Sequence, residues 1–437
     1  MIKPKVGVYA VYEKSEEDWQ NWETQLDEVA AMLVSAGAEV LKAPGAVYDD
    51  TSCSNIGGWF KHQDIDVLYV LVICWSFDHY TIRIQQEINT PLIIRSIPGI
   101  RAGSIVGGQQ LNCILTDLNV EHMYCYGELG DEQVAKDALV YATGCAMRNR
   151  LKSTRIGVVE PRTEGMTPIA VDEVEILRLF GVQLIHFGFD ELLAKANNIS
   201  QNAAEEAWFE VSTTAKEVSS VHEAGLAAMK NYLAAKQLVQ ILDLHAVSIG
   251  AYPKCQGTMC LPIALLNDEG IVAGCEGDVN STLSMVLLSL LSDDPVHFGE
   301  MLEIDEATNT VVSSHCGAGA PLLANSAGFI LCPVRLANDG VCIRYSAKNG
   351  PVTYVNLVGR KGNYRLGAFE GEAVNTKLVF EGNPLKIKMK TSIQSIMKLV
   401  KENGLGHHWM TGYGHYSEIL QVFCRLVRIR GVFPDLM

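Results

Sequence analysis

Apolar positions along the first ~150 residues fall into two alternating textures. Lys5–Tyr12 (KVGVYAVY), Asp66–Cys74 (DVLYVLVIC) and Pro91–Arg95 are short continuous apolar runs bounded by turn residues. Such runs suit strands covered on both faces, as in a parallel sheet. Between them, Trp22 to Ala36 carries apolar residues at helical spacing and stops at Gly37, and Val40 opens another short strand. This pattern predicts an open α/β sheet. A second series begins with a strand at Thr154–Glu160 and continues with a helix near Ile169–Phe180 and a strand at Val182–Phe187. An acidic, alanine-rich helical stretch then runs from Glu191 to Lys236, followed by a strand at His245–Ile249, a loop at Gly250–Thr258 and a helix at Ser281–Ser292. After about residue 295, strand-like runs at Thr310–Ser314, Gly328–Val334, Val341–Tyr345, Val352–Val358 and Tyr364–Glu370 are separated by Gly, Asn and Asp turns. That texture predicts an antiparallel, barrel-like domain. The expectation is two doubly wound α/β domains, 1–150 and 151–294, followed by a mainly antiparallel β domain, 295–437.

Composition narrows the function. With 437 residues and 48% hydrophobic content, the chain can bury real cores, which excludes disorder and a disulfide-stapled miniature fold. Fifty acidic against 35 basic residues give a net charge of −15, which makes nucleic acid and anionic membrane poor partners. The 12 cysteines are scattered without a C-x-x-C pair, and most lie in apolar runs. A reducing, cytoplasmic protein is expected. The longest apolar stretch, Val67 to Trp75, is too short to span a bilayer.

Four segments concentrate chemistry. Gly274-Cys-Glu276-Gly-Asp278 holds two carboxylates at i and i+2, which share one face of an extended chain, where a strand gives way to a helix. Its bland reading is a solvent-facing turn with an N-cap aspartate, but its apolar flanks make an idle acidic pair costly to bury. Glu300 sits between Phe298 and Met301-Leu302, unlike the turn-like Asp305-Glu306. His315 ends a strand and precedes a small-residue loop; a lone histidine there is more often structural. Gly404–Tyr416 packs His407, His408, His415 and three aromatic residues among glycines, and neighbouring histidines on extended chain face opposite ways. Two carboxylates and two imidazoles from separate segments suit an open divalent-metal centre, and the lack of thiolates favours Mn²⁺. Cys255 and Cys260, spaced C-x4-C, with Cys275, are competitors for zinc.

Glu276-Gly-Asp278 with its Ser-Thr-Leu-Ser-Met continuation, Phe298-Gly-Glu300, His315, Gly-His407-His408-Trp409 and Gly107-Gly-Gln109-Gln-Leu-Asn resemble the L-fucose/L-arabinose isomerase superfamily. The resemblance spans nearly the whole chain. It implies a Mn²⁺-dependent aldose–ketose isomerase working through an enediol, with Glu276 and Glu300 as the acid/base pair. The arabinose-type ligand set falls on Glu276, Glu300, His315 and His408; the fucose-type set uses Asp278. The earlier glutamate of the fucose type has no counterpart in Tyr252-Pro-Lys254-Cys-Gln256, which favours Glu300. Trp75, Gln109, Arg162, Lys254, Gln256 and Trp409 are candidates for holding the far end of the sugar. Arg162 and Lys254, if they converge on the pocket, suit an anionic hexose such as sulfoquinovose. A homo-oligomer, trimer or hexamer, is also implied. The competing readings are a non-catalytic sugar-binding sensor, and a metal-dependent hydrolase or aldolase using the same ligands.

Overall fold

The computed structural model describes residues 2–250, 252–253, 257–335 and 337–434. It divides into two compact units, Ile2–Arg150 and the residues from Leu151 onward. In the first, β1 (Lys5–Val11), α1 (Trp22–Ala36), β2 (Glu39–Lys42), α2 (Asp50–Phe60), β3 (Val67–Val72), α3 (Asp78–Ile88), β4 (Leu92–Ser96), α4 (Ser104–Asp117), β5 (His122–Tyr126) and α5 (Glu132–Leu151) alternate. The strands form a parallel sheet in the order β2-β1-β3-β4-β5. Every residue of β3 and β4 is buried, as their unbroken apolar runs require. α1 stops where Gly37 adopts φ 117°, a left-handed C-cap.

The second unit opens with β6 (Arg155–Glu160), α6 (Glu173–Phe180), β7 (Gln183–Gly188), α7 (Phe189–Asn197), α8 (Gln201–Thr214), β8 (Glu217–Val218), α9 (His222–Ile241), β9 (Ala246–Ile249), α10 (Cys260–Asp268), β10 (Val272–Cys275) and α11 (Val279–Leu291). β6, β7, β9 and β10 make a parallel sheet in the order β10-β9-β6-β7. Two local expectations are corrected by capping chemistry. The helix expected from Ile169 begins at Glu173, because the Asp172 carboxylate accepts the N–H groups of Val174 (3.0 Å) and Glu175 (3.2 Å). The single helical stretch expected from Glu191 to Lys236 is three helices and a short strand. Ser200 caps α8, and β8 leaves the helical path to pair with β13 (Ile330–Val334).

The remaining elements are β11 (His297–Asp305), β12 (Thr310–Ser314), β14 (Asp339–Arg344), β15 (Gly350–Val358), β16 (Arg365–Val374), β17 (Leu385–Met389), α12 (Ile393–Asn403), β18 (His408–Tyr413), α13 (Ser417–Leu426) and β19 (Arg430–Val432). Six antiparallel strands run in the order β15-β18-β11-β12-β17-β16, and β16 pairs back onto β15, closing a barrel. Closure removes the exposed edges that an open antiparallel sheet would present. The hairpin β13–β14 stands apart and takes up β8 as a third strand. Between the parallel sheet and the barrel lies α11, which packs against β9, β10, β15 and β18. Buried along most of its length, it carries no charged residue (VNSTLSMVLLSLL). Among the described residues no helix is long and apolar enough to cross a membrane.

At the head of β11, His297 is fully buried, and its Nε2–H donates to the Asn383 carbonyl at 2.7 Å. Burial pushes its pKa down to about 4. The unfolded chain, with an ordinary histidine near 6.5, therefore takes up a proton that the folded state refuses between those values. Stability is full above about pH 6.5 and falls as the pH drops toward 4, by on the order of 3 kcal/mol from this residue. His297→Gln should flatten that part of the acid dependence. Urea midpoints of both proteins at neutral and mildly acidic pH check this.

Candidate functional site

The site is assembled around the turn that joins β10 to α11. Glu276 adopts φ 63° and Gly277 φ 70°, two successive residues in the left-handed region. A non-glycine residue held there stores about 1–3 kcal/mol of strain. Three backbone bonds hold the turn: Thr163 N–H to Glu276 O (3.1 Å), Gly277 N–H to Ile249 O (3.1 Å) and Asp278 N–H to Cys275 O (3.2 Å). Residue 277 must be glycine for a second reason: a Cβ there would sit 2.8 Å from the Cα of Arg162. The turn aims the Glu276 carboxylate away from solvent, leaving the residue 6% exposed.

Asp278 closes the turn as the N-cap of α11. Its Oδ1 accepts the Ser281 N–H (3.1 Å), and its Oδ2 accepts both the Ser281 hydroxyl (2.6 Å) and His408 Nδ1–H (2.8 Å). With Nδ1 committed, His408 presents Nε2 to Glu276 Oε2 at 3.0 Å. Those two atoms are buried and close, yet they are not aligned for a hydrogen bond and have no other partner. His315, the residue that follows β12, brings Nε2 to 3.7 Å from Glu276 Oε1. Phe298 on β11 packs between the two imidazoles, with ring centroids 4.9 Å from His315 and 5.0 Å from His408.

Barrel register supplies the last carboxylate. Glu300 on β11 pairs directly with His408 on β18 on one side and with Ser314 on β12 on the other. His407, exposed, lies against His408 with centroids 3.9 Å apart and the rings tilted by 40°. Two groups of donor atoms result, each within a 4.8 Å span: Glu276, His315 and His408, all buried, and Glu300, His407 and His408. His408 belongs to both.

The electrostatics match a divalent cation. Burial disfavours charge on His408, but the Asp278 and Glu276 carboxylates outweigh it and push the pKa up to about 10. Burial likewise opposes charging of His315, yet Cys316 and Glu276 push it to about 9. Burial works to raise Glu276, but the histidines hold it below the ordinary carboxylate value. Glu276 thus favours positive charge facing it, which protons on the imidazoles or a bound cation would supply. Ligands about 2.1 Å from an ion stand roughly 3–4 Å apart, the scale of the Glu276–His408 and Glu276–His315 separations. The buried Glu276–His315–His408 group could hold a metal ion.

Trp409 is not at the site. It alternates with His408 on β18, so its ring enters the barrel core, 1% exposed and stacked on Tyr354 at 4.6 Å. The exposed Arg162 directs its guanidinium to the carbonyls of Thr163 (3.1 Å) and Met166 (3.2 Å). Trp75 and Gln109 belong to the first unit; the Trp75 indole N–H donates to Gln110 (3.0 Å), and Gln109 is exposed on α4. Lys254, Gln256 and Cys255 lie outside the described residues. Among the described residues neither donor group includes a cysteine, so the zinc alternative gains no geometric support. Sequence reasoning passed over Ser281 and Phe298. Ser281 had a signal, the D-x-x-S spacing of an N-cap, whereas nothing in the sequence marks Phe298 as the ring between two histidines.

Because Asp278 bonds to Nδ1 of His408 and so orients its ring, Asp278→Asn should weaken whatever divalent-metal affinity the protein shows about 10–100-fold. Helicity should change little, since asparagine is also a good N-cap. Equilibrium dialysis and circular dichroism together check this.

No protein-family model matches the chain. It is similar along most of its length to proteins named sulfoquinovose isomerase. It is 25% identical over 393 residues to the one from Alkalicoccus urumqiensis, spanning 85% of this chain and 82% of that protein. The one from Clostridium sp. (strain MSTE9) is 26% identical over 387 residues, 83% of this chain and 85% of the relative. The one from Priestia aryabhattai is 23% identical over 400 residues, 87% and 88% of the two chains.

Proposed function

We propose that this protein is a divalent-metal aldose–ketose isomerase whose substrate is an anionic hexose, sulfoquinovose. The observation that carries the reading is the buried facing pair of Glu276 and His408, with His315 completing a three-donor group and Glu300 in register opposite His408. The curated relatives, named for sulfoquinovose isomerisation, support the substrate class.

In this reading Glu276, His315 and His408 hold the ion, Glu300 completes its carboxylate set, and Asp278 orients His408. Carboxylate and imidazole donors without thiolate suit Mn²⁺. When bound, the ion supplies Lewis-acid polarisation of the two adjacent sugar oxygens. Aldose-to-ketose conversion then needs two proton movements. Glu300, half-buried beside His407 and His408, takes the C2 proton and returns it to C1. Glu276, between the two histidines, passes the O2 proton to O1. No atom is gained or lost, which separates isomerisation from hydrolysis and aldol cleavage. In this reading Arg162 is the candidate for the sulfonate: its neighbour Thr163 donates to the Glu276 carbonyl, and its exposed guanidinium would turn from the Thr163 and Met166 carbonyls to the anion. A guanidinium fork can donate to two oxygens of a tetrahedral sulfonate.

Chelator-stripped protein given Mn²⁺ and sulfoquinovose in D₂O should form the ketose and place solvent deuterium at its C1, followed by proton NMR. Metal binding without turnover or exchange on any aldose overturns the reading in favour of a sensor, and released fragments favour the aldolase. Glu300→Gln should lower kcat by about 10²–10⁴. Arg162→Met should raise KM for sulfoquinovose about 10–100-fold while leaving the much poorer turnover of neutral glucose unchanged; steady-state kinetics on both sugars check this.

A further inference from the structure

A second chemical feature lies just behind the site and has no part in the reaction. Cys332 on β13 and Cys342 on β14 are direct cross-strand partners, and their sulfurs stand 3.8 Å apart. Both thiols are buried, and they share an apolar cluster with Cys260, Val334 and the partly buried Cys316. Directly opposed residues of an antiparallel pair fall within the Cα separation that a disulfide spans. The pair also sits against the segment that carries His315. Ile343 N–H donates to the Gly317 carbonyl (3.0 Å), and a Cβ on Gly317 would lie 2.7 Å from Cys342 Cβ and 3.0 Å from its sulfur. Residue 317, at φ 102°, therefore has no room for a side chain between this segment and Cys342. On its other side Cys316 Sγ lies 3.5 Å from His315 Nδ1.

We propose that Cys332 and Cys342 form a redox modification site, in which oxidation by a low-molecular-weight disulfide joins them and displaces the His315–Gly317 segment. In the first step the Cys332 thiolate attacks one sulfur of glutathione disulfide; the S–S bond of that molecule breaks and one glutathione thiolate leaves. The Cys342 thiolate then attacks the Cys332 sulfur of the mixed disulfide, forming the Cys332–Cys342 bond and releasing the second glutathione. The two cysteine protons end on the two glutathione thiols. The protein pair loses two electrons and glutathione disulfide gains them. Arginine and the neighbouring thiol assist the first step: Cys342, with Arg344 adding to it, lowers the Cys332 pKa against the opposing effect of burial. The exposed turn of the hairpin, residues 335, 337 and 338, is where local opening admits the reagent.

Forming the bond brings the sulfurs about 1.8 Å closer than their present 3.8 Å. The hairpin is tied to Gly317 by the Ile343–Gly317 backbone bond and packs too closely there to admit a side chain at residue 317, so in this proposal repositioning of Cys342 shifts the segment two residues from His315. A displacement of that order at a positioned catalytic group costs about 10–100-fold in rate.

The test treats purified, metal-loaded protein with glutathione disulfide and reads two quantities separately. Peptide mass spectrometry after trypsin, which cuts at Arg335 between the two cysteines, scores the linkage whatever reaction the enzyme catalyses. Turnover of sulfoquinovose, which rests on the function proposed above, scores the consequence. The expected result is a Cys332–Cys342 link, an activity loss of about 10–100-fold restored by dithiothreitol, and no loss in Cys332→Ala or Cys332→Ser. Two substitutions are used so that a folding defect in one does not decide the outcome. A linkage at Cys260 or Cys316 instead, no linkage at all, a Cys332–Cys342 link with unchanged turnover, or equal inhibition of both variants overturns the proposal.

Discussion

The Asp278 carboxylate meets two obligations at once, and the rest of the site depends on that. One oxygen caps α11, the apolar helix packed against both the parallel sheet and the barrel; the other accepts the Ser281 hydroxyl and the His408 imidazole. The start of the central helix and the orientation of a barrel histidine are therefore fixed by a single side chain. An apolar cap would leave His408 Nδ1 without this acceptor, and nothing would then fix which nitrogen faces Glu276. The buried chain Ser281–Asp278–His408–Glu276–His315 is held from two elements of different architecture, a parallel-sheet turn and antiparallel barrel strands. Its rigidity comes from that double attachment.

Strain and charge converge on Glu276. Its left-handed backbone and the equally left-handed Gly277 force the chain through a reversal that no apolar residue would adopt at low cost. The three backbone bonds holding this turn come from three separate segments: the loop after β6, the end of β9, and β10 itself. What this arrangement achieves is a carboxylate in a nearly dry place facing two imidazoles. Buried carboxylates and imidazoles are expensive unless each finds an opposite charge. Here they face one another, and protons on the imidazoles or a bound cation would supply the positive charge that Glu276 favours.

Barrel register explains why the same histidine serves two donor groups. Glu300 and His408 are direct partners on adjacent strands, while His407, one residue earlier, is exposed and lies tilted against His408. Alternation along β18 sends the next residue, Trp409, into the barrel core against Tyr354 and Phe369. A one-residue slip of β18 would exchange these roles, so the barrel core, through the Trp409 stacking, also fixes which histidine reaches the site.

Hydrophobic patterning by itself determined the α/β series, the switch to an antiparallel barrel after about residue 295, and the segments that carry chemistry, because buried strands and helices need distinct apolar periods and buried carboxylates need a reason. It also separated His407 from His408 as residues of opposite faces. Only the tertiary structure decided which of the two points inward, since strand phase is set by β11 and β15, both distant in sequence. The aromatic composition around residue 409 reads equally well as a sugar platform or as core; the stacking with Tyr354 makes it core. Asp278 reads as a ligand or a cap in sequence, and in space it is the cap that also holds His408. The helix breaks at Ser200 and before Glu173 are caps outweighed, in a sequence reading, by strong helical periodicity. The Cys332–Cys342 pairing was hidden for the same reason as the Glu300–His408 pairing: register between strands is a property of packing, and linear spacing does not contain it.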